Sequence, residues 1–203
     1  MTLLGKLITF FPFFIYTLVF VVMGQAILSQ KIIYLFLILI ILYLLPVIVF
    51  RIHNIFFPLR KVVVDLDSNQ YISWWGSYKI QRVYYDLPFL ESLLRSVPGV
   101  YSFWLRLWGS KIGRGVYWPP RVEICDRSLV EIGDYVVFGH EVVLSSHTLA
   151  PVKSKHKLVV EKIKIENNCF IGAHSRIGPG CSIAMGSFLP FETLLKVRQN
   201  WSQ

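Results

Sequence analysis

Apolar positions recur along this chain with different periods, and each period predicts a different element. From residue 165 an aliphatic side chain returns every sixth position: Ile165, Ile171, Ile177, Ile183, Leu189, Leu195. Two positions before each hexad restarts stands a small or β-branched residue: Cys169, Ser175, Cys181, Ser187, Thr193. Such a period is neither that of a helix nor the alternation of a half-buried strand. It predicts a β-helix of hexapeptides, in which each unit forms one short side of a triangular prism with its aliphatic residue on the axis. The same register runs earlier through Ile112, Trp118 and Ile124, and after a two-residue slip through Ile132, Phe138 and Leu144. It then breaks into a long loop, because residues 148–164 are too polar and basic for another coil. With three sides to a turn, the hexads support roughly four coils, near the minimum of about three for a stable solenoid.

The N-terminal quarter has no such alternation. Residues 7–28 and 32–50 are almost uninterruptedly apolar, and each is long enough to cross a bilayer as a helix. Only Ser29, Gln30 and Lys31 separate them, which forces an antiparallel hairpin, or a re-entrant pair if the first helix bends at Pro12. A cleaved signal peptide is excluded by the length of the first run and the second run directly behind it. Lys6 flanks one end and Arg51, Arg60 and Lys61 the other, while the loop carries only Lys31. The positive-inside rule then places both ends, and all that follows, in the cytoplasm of a bacterial-type inner membrane.

Between hairpin and prism the pattern is mixed. Residues 61–67 and 71–75 read as short strands joined at 67–69, and 81–86 as another. From Leu87 the spacing turns helical, through Leu90, Leu93 and Leu94, and stops before Pro98 and Gly99. In 101–108 the residues Phe103, Trp104, Leu105, Leu107 and Trp108 surround Arg106, which predicts an interfacial helix in the head-group layer, a cap over the open end of the prism, or one helix serving as both. The expected organisation is a transmembrane hairpin over 1–53, a short α/β connector over 54–110 and a β-helix over 111–203.

Composition narrows the partners. Apolar residues make up 54% of the chain and the formal net charge is +9. Anionic head groups, or a phosphate-bearing ligand such as coenzyme A, suit that charge. No nucleic-acid motif is present. The three cysteines, Cys125, Cys169 and Cys181, are odd in number, lack zinc spacing and fall within the prism register, so they are expected to be buried free thiols in a reducing compartment.

The prism motifs Ile112-Gly-Arg-Gly, Val130-Glu-Ile-Gly-Asp, Phe170-Ile-Gly-Ala and Ile177-Gly-Pro-Gly resemble those of the hexapeptide-repeat acyltransferases, nearest the maltose and galactoside O-acetyltransferase branch. The resemblance spans residues 111–195. It implies a mainly β fold, a left-handed parallel β-helix, assembled as a homotrimer with active sites between neighbouring prisms. It also implies acyl transfer from a thioester of coenzyme A, or of acyl carrier protein, with no permanently bound cofactor.

Acyl transfer to a hydroxyl or amine needs a group that takes a proton near neutral pH, and imidazole suits that task. His147 stands where the register ends and the excursion begins, which matches the family's catalytic histidine. The excursion returns at Ile163 and Ile165 before Asn167, as in the family. Ser145 and Ser146 are not required as nucleophiles. His140 and His174 are expected at the surface or at a contact between copies. A zinc site like that of the γ-class carbonic anhydrases, which share the fold, lacks its upstream histidine: residues 112–127 contain none and His53 lies beside the membrane. No metal is therefore expected. By resemblance Arg121 replaces an acceptor-positioning asparagine and would suit an anionic acceptor. Asp126 matches an acid nearby, also on the acceptor side. Ala173 matches a donor contact, and Lys196 and Arg198 are placed to meet donor phosphates. The family's last-coil Gly-Ala-Gly-Ser run is replaced by Leu189-Pro-Phe-Glu-Thr, which points to an unusual or longer acyl donor. The expectation is a membrane-anchored acyltransferase acting on a lipid, a lipid-linked sugar or an amino-lipid. The alternative is a non-catalytic trimeric scaffold on the membrane.

Overall fold

A computed structural model describes residues 2–65, 71–152 and 155–203. In chain order the elements are α1 (Leu3–Thr9), α2 (Phe11–Ser29), α3 (Ile33–Tyr43), α4 (Leu45–Phe56), β1 (Val62–Asp65), α5 (Ser73–Asp86), α6 (Phe89–Arg95) and α7 (Val100–Trp108). Fourteen short strands follow: β2 (Lys111–Ile112), β3 (Glu123–Ile124), β4 (Val130–Ile132), β5 (Val137–Phe138), β6 (Val143–Leu144), β7 (His147–Val152), β8 (Lys155–Val160), β9 (Ile163–Ile165), β10 (Phe170–Ile171), β11 (Arg176–Ile177), β12 (Ser182–Ile183), β13 (Phe188–Leu189), β14 (Leu194–Leu195) and β15 (Asn200–Trp201). The chain divides into two compact units, 1–59 with 69–87 and 60–68 with 88–203.

In the first unit, Leu3–Ser29 and Ile33–Phe56 form helices of 27 and 24 residues, each long and apolar enough to cross a membrane. Their side chains face outward almost throughout, with Phe13, Phe20, Leu28 and Ile55 strongly exposed, which in water would be an unsustainable apolar surface. α2 ends at Gln30 in a left-handed turn (φ 55°) that reverses the chain into α3. Most of the strands expected at 71–75 and 81–86 lies in one helix, α5, which starts at Ser73 after the extended Ile72. Its buried positions Trp74, Ser77, Ile80, Gln81 and Tyr84 recur at helical spacing. Aromatic richness suggested strands, but β-propensity mostly measures the fit to a half-buried surface, and the surface here is a set of helices. Gly76 makes that packing possible. A Cβ there would lie 1.9 Å from the Tyr71 hydroxyl and 2.4 Å from His53 Nε2, two groups already hydrogen-bonded at 2.7 Å.

The second unit is a three-sided prism of parallel sheets. β2, β4, β9, β12 and β15 make the first face, β5, β10 and β13 the second, and β3, β6, β11 and β14 the third. Registered pairs stack the hexad residues into axial columns: Ile112, Ile132, Ile165 and Ile183 on the first face, Phe138, Ile171 and Leu189 on the second, and Ile124, Leu144, Ile177 and Leu195 on the third. All are buried. The motif glycine has a steric reason: a Cβ on Gly172 would meet the backbone nitrogen of Phe191, one coil on, at 2.3 Å.

Two further elements complete this unit. α7 caps the prism's first coil. Tyr101, Trp104, Leu105 and Trp108 are buried, Tyr101 packs edge-on to Trp118 at 5.2 Å, and Trp118 stacks on Phe138 at 4.8 Å. The tryptophans thus face the core, as a cap requires, while Phe103 on the same helix stays exposed. The excursion is not a loop: β7 and β8 form an antiparallel hairpin, and β1 adds to β8 as a third strand.

Candidate active site

The corner that follows the third-face strands β3 and β6 brings two candidate side chains together. Ile124 and Leu144 are register partners, so the residues that follow them stack at one corner. Asp126 comes two positions after Ile124, and His147 three after Leu144. Their side chains meet, with His147 Nδ1 2.7 Å from Asp126 Oδ2. Asp126 is almost wholly buried, at 2% side-chain exposure, while His147 retains 20%. A carboxylate can only accept, so against ionised Asp126 the shared proton belongs to Nδ1, and in the neutral imidazole the lone pair is then on Nε2. Hydrogen bonds to an ionised group are short and strong, and this one fixes ring orientation as well as tautomer.

The backbone holds this arrangement from several sides. Ser146 Oγ donates to Leu129 O at 2.9 Å, and Glu161 N donates to Ser146 O at 2.9 Å, which closes the foot of the hairpin next to His147. Ser145 Oγ is occupied by His147 O at 2.7 Å. Glu161 gathers two cations, Lys61 from the residue before β1 and Arg198 Nε at 2.6 Å from the last coil. Burial alone would raise the Glu161 carboxyl, but the hydrogen bonds from Lys61 and Arg198 outweigh it and hold it below the usual range.

The sequence candidates divide between two corners of the prism. Lys196 and Arg198 follow β14 on the third face, on the same corner column as Asp126 and His147. Lys196 is exposed and Arg198 is engaged with Glu161. Arg121, just before β3, and Ala173, just after β10, stand at the corner between the second and third faces. Here Arg121, Glu141, His174 and Glu192 form a ladder of residues with positive φ, at 62°, 57°, 58° and 55°. The Arg121 guanidinium donates to Glu141 at 2.8 Å, and His140 and His174 approach the same carboxylate at 3.3 and 3.2 Å. The Arg121 hydrogen bond, with the histidines nearby, draws the Glu141 carboxyl below its ordinary value. Among the described residues no group of three or more His, Cys, Asp or Glu side chains could hold a metal ion.

Cys169 and Cys181 are buried free thiols whose pKa values burial raises; Cys125 is half-buried beside the site and donates to Glu123. The direct pairing of Asp126 with His147 was not read from the sequence, although the register contained it.

No protein-family model and no curated protein sequence matches the chain. Among solved structures it is similar to a hexapeptide-repeat-containing acetyltransferase from Vibrio cholerae, at 12% identity and TM-score 0.40, over 60% of this chain and 82% of that one. An acetyltransferase of the same description from Vibrio cholerae O1 biovar eltor, complexed with acetyl coenzyme A, aligns at 16% identity and TM-score 0.37, over 59% and 85%. A galactoside acetyltransferase in complex with coenzyme A aligns at 17% identity and TM-score 0.34, over 53% and 74%.

Proposed function

We propose that this protein is a membrane-anchored acyltransferase that moves an acetyl or longer acyl group from a coenzyme A or carrier-protein thioester to an acceptor at the bilayer. The observation that carries the reading is the hydrogen bond between buried Asp126 and partly exposed His147 at the register break. His147 Nε2 takes the proton from the acceptor hydroxyl or amine as its oxygen or nitrogen attacks the thioester carbonyl. The tetrahedral oxyanion collapses, the carbon–sulfur bond breaks, and the imidazolium returns the proton to the departing thiolate. No covalent enzyme intermediate is needed, in keeping with a Ser145 hydroxyl committed to the His147 carbonyl.

In this reading Asp126 orients the base instead of touching the acceptor, since its side chain has almost no surface to offer. Lys196 and Arg198 remain the donor-phosphate candidates on the base's corner. Arg121 and Ala173 reach a site only if a second copy brings its corner alongside, which is what a homotrimer with sites between prisms provides. The two apolar helices support an anchor, and an anchor favours a lipid, lipid-linked sugar or amino-lipid acceptor on the cytoplasmic side.

The test uses the full chain in lipid nanodiscs containing total bacterial membrane lipid, supplied with acyl-coenzyme A of graded chain length. Lipid mass spectrometry should find one class heavier by the acyl group, and cells lacking the protein should lack that class. Absence of thioester consumption with every donor, including acyl carrier protein, favours the non-catalytic scaffold.

A further inference from the structure

The turn that carries Asp126 is gripped from outside the prism. α6 and α7 lie against it, and between them sits a buried ionic cluster that the proton-transfer scheme does not use. Glu91 on α6 accepts from Arg127 Nε at 2.5 Å and from Arg95 Nη2 at 2.8 Å. The Tyr101 hydroxyl donates to the same carboxylate at 3.2 Å, and burial, then the Glu91 charge, pushes that phenol well above its ordinary value, so it stays a donor. Arg95 Nη2 also donates to Val122 O at 2.7 Å, the Ser110 hydroxyl donates to Arg127 O, and the Arg127 guanidinium lies 5.9 Å from the Trp104 ring. Residues 122–127 are therefore held at both ends by helix-borne groups, and Asp126 lies inside that span.

Buried ion pairs add little stability compared with apolar packing of the same volume, because desolvation offsets their attraction. Glu91 and Arg127 are 5% and 2% exposed, so a purely structural cap would have been served as well by aliphatic residues. What the charges add is a fixed geometry: one carboxylate and two guanidinium groups fit together in few arrangements. Two arginines against one glutamate also leave a surplus positive charge one residue along the chain from the Asp126 carboxylate.

We propose that Glu91, Arg95 and Arg127 are positioning residues that hold the Asp126 carboxylate under His147 Nδ1, so that the helical cap, and not the prism alone, sets the geometry of the base. This rests on the assignment of Asp126 and His147 made above. The test is made on the full chain in detergent micelles. Proton NMR should show a downfield, exchange-protected imidazole N–H, identified by its loss in Asp126→Asn. The same signal should vanish or weaken in Glu91→Gln and Arg127→Met while circular dichroism still reports a cooperative melt, and Arg127→Lys should restore it in part. In transfer assays Glu91→Gln should lower kcat by about 10- to 100-fold, as a displacement of about 1 Å caused far from the reacting atoms can, with the donor KM unchanged. In an Asp126→Asn background the same substitution should have almost no further effect. An intact N–H signal in both cap variants, or an equal kcat loss in both backgrounds, overturns the proposal. If Asp126→Asn leaves kcat untouched, the dyad assignment fails instead, and the N–H signal still decides whether the cap positions the turn.

Discussion

Because a carboxylate only accepts, the side chain at position 126 dictates which nitrogen of His147 is left for the proposed proton transfer. Asp126→Asn keeps the shape but offers an amide N–H, which turns the imidazole lone pair towards Nδ1 and away from the acceptor. The expected outcome is a kcat lower by on the order of 10²–10⁴-fold, with the fold intact by circular dichroism and donor binding by calorimetry little changed. At this scale the place of His147 was legible in the sequence because it sits where the hexads stop. Its contact with Asp126 was not, since the two residues are 21 positions apart and meet through the pairing of Ile124 with Leu144. Glu91 and Arg127 left no signal, because ion pairs across 36 positions follow from how helices seat on the prism and not from any local spacing.

Elements stand or fall on periodicity. The prism was readable because an axial residue every six positions is imposed by geometry that no helix or flat sheet shares. Removing one axial side chain, as in Ile177→Ala, should cost about 2–5 kcal/mol, read as a lower melting temperature. In the connector the strand at β1 and the helix through Leu90 and Leu93 follow the expected pattern, whereas 71–86 does not, because its aromatic run suits strands and helices alike and only the neighbouring helices decide. Gly76 records that decision: Gly76→Ala forces a Cβ into Tyr71 and His53 and should lower the thermal midpoint of the first unit, with Gly24→Ala, which meets nothing within 4 Å, as the unaffected control. The hairpin escaped detection because its polarity resembled a loop. Its tie to the last coil is pH-dependent. The Glu161 carboxyl is held below its ordinary value, so its stabilising contribution is full above the unfolded value of about 4.3 and is lost as pH falls through the lower folded value. Acid titration should therefore unfold the wild type with a steeper loss below that point than Glu161→Gln, which lacks this contribution at any pH.

At the scale of the whole molecule, two apolar helices and a prism with an aromatic outer face call for different surroundings. Outward positions along the second face carry Tyr117, Phe170 and Phe188, all exposed, with the two phenylalanines stacked at 5.4 Å. The proposed homotrimer, if it buries this face, should lose its assembly in Phe170→Glu/Phe188→Glu, seen by light scattering as a fall to monomer, with activity lost alongside where the site needs both corners. The central claim, however, is the chemistry at the register break. It is tested most directly by transfer of radiolabelled acyl groups from coenzyme A to membrane lipid in nanodiscs, comparing wild type with His147→Ala. Label in a lipid product with the wild type, reduced by on the order of 10²-fold or more in the variant, is the predicted result. Equal labelling by the two proteins would contradict the account.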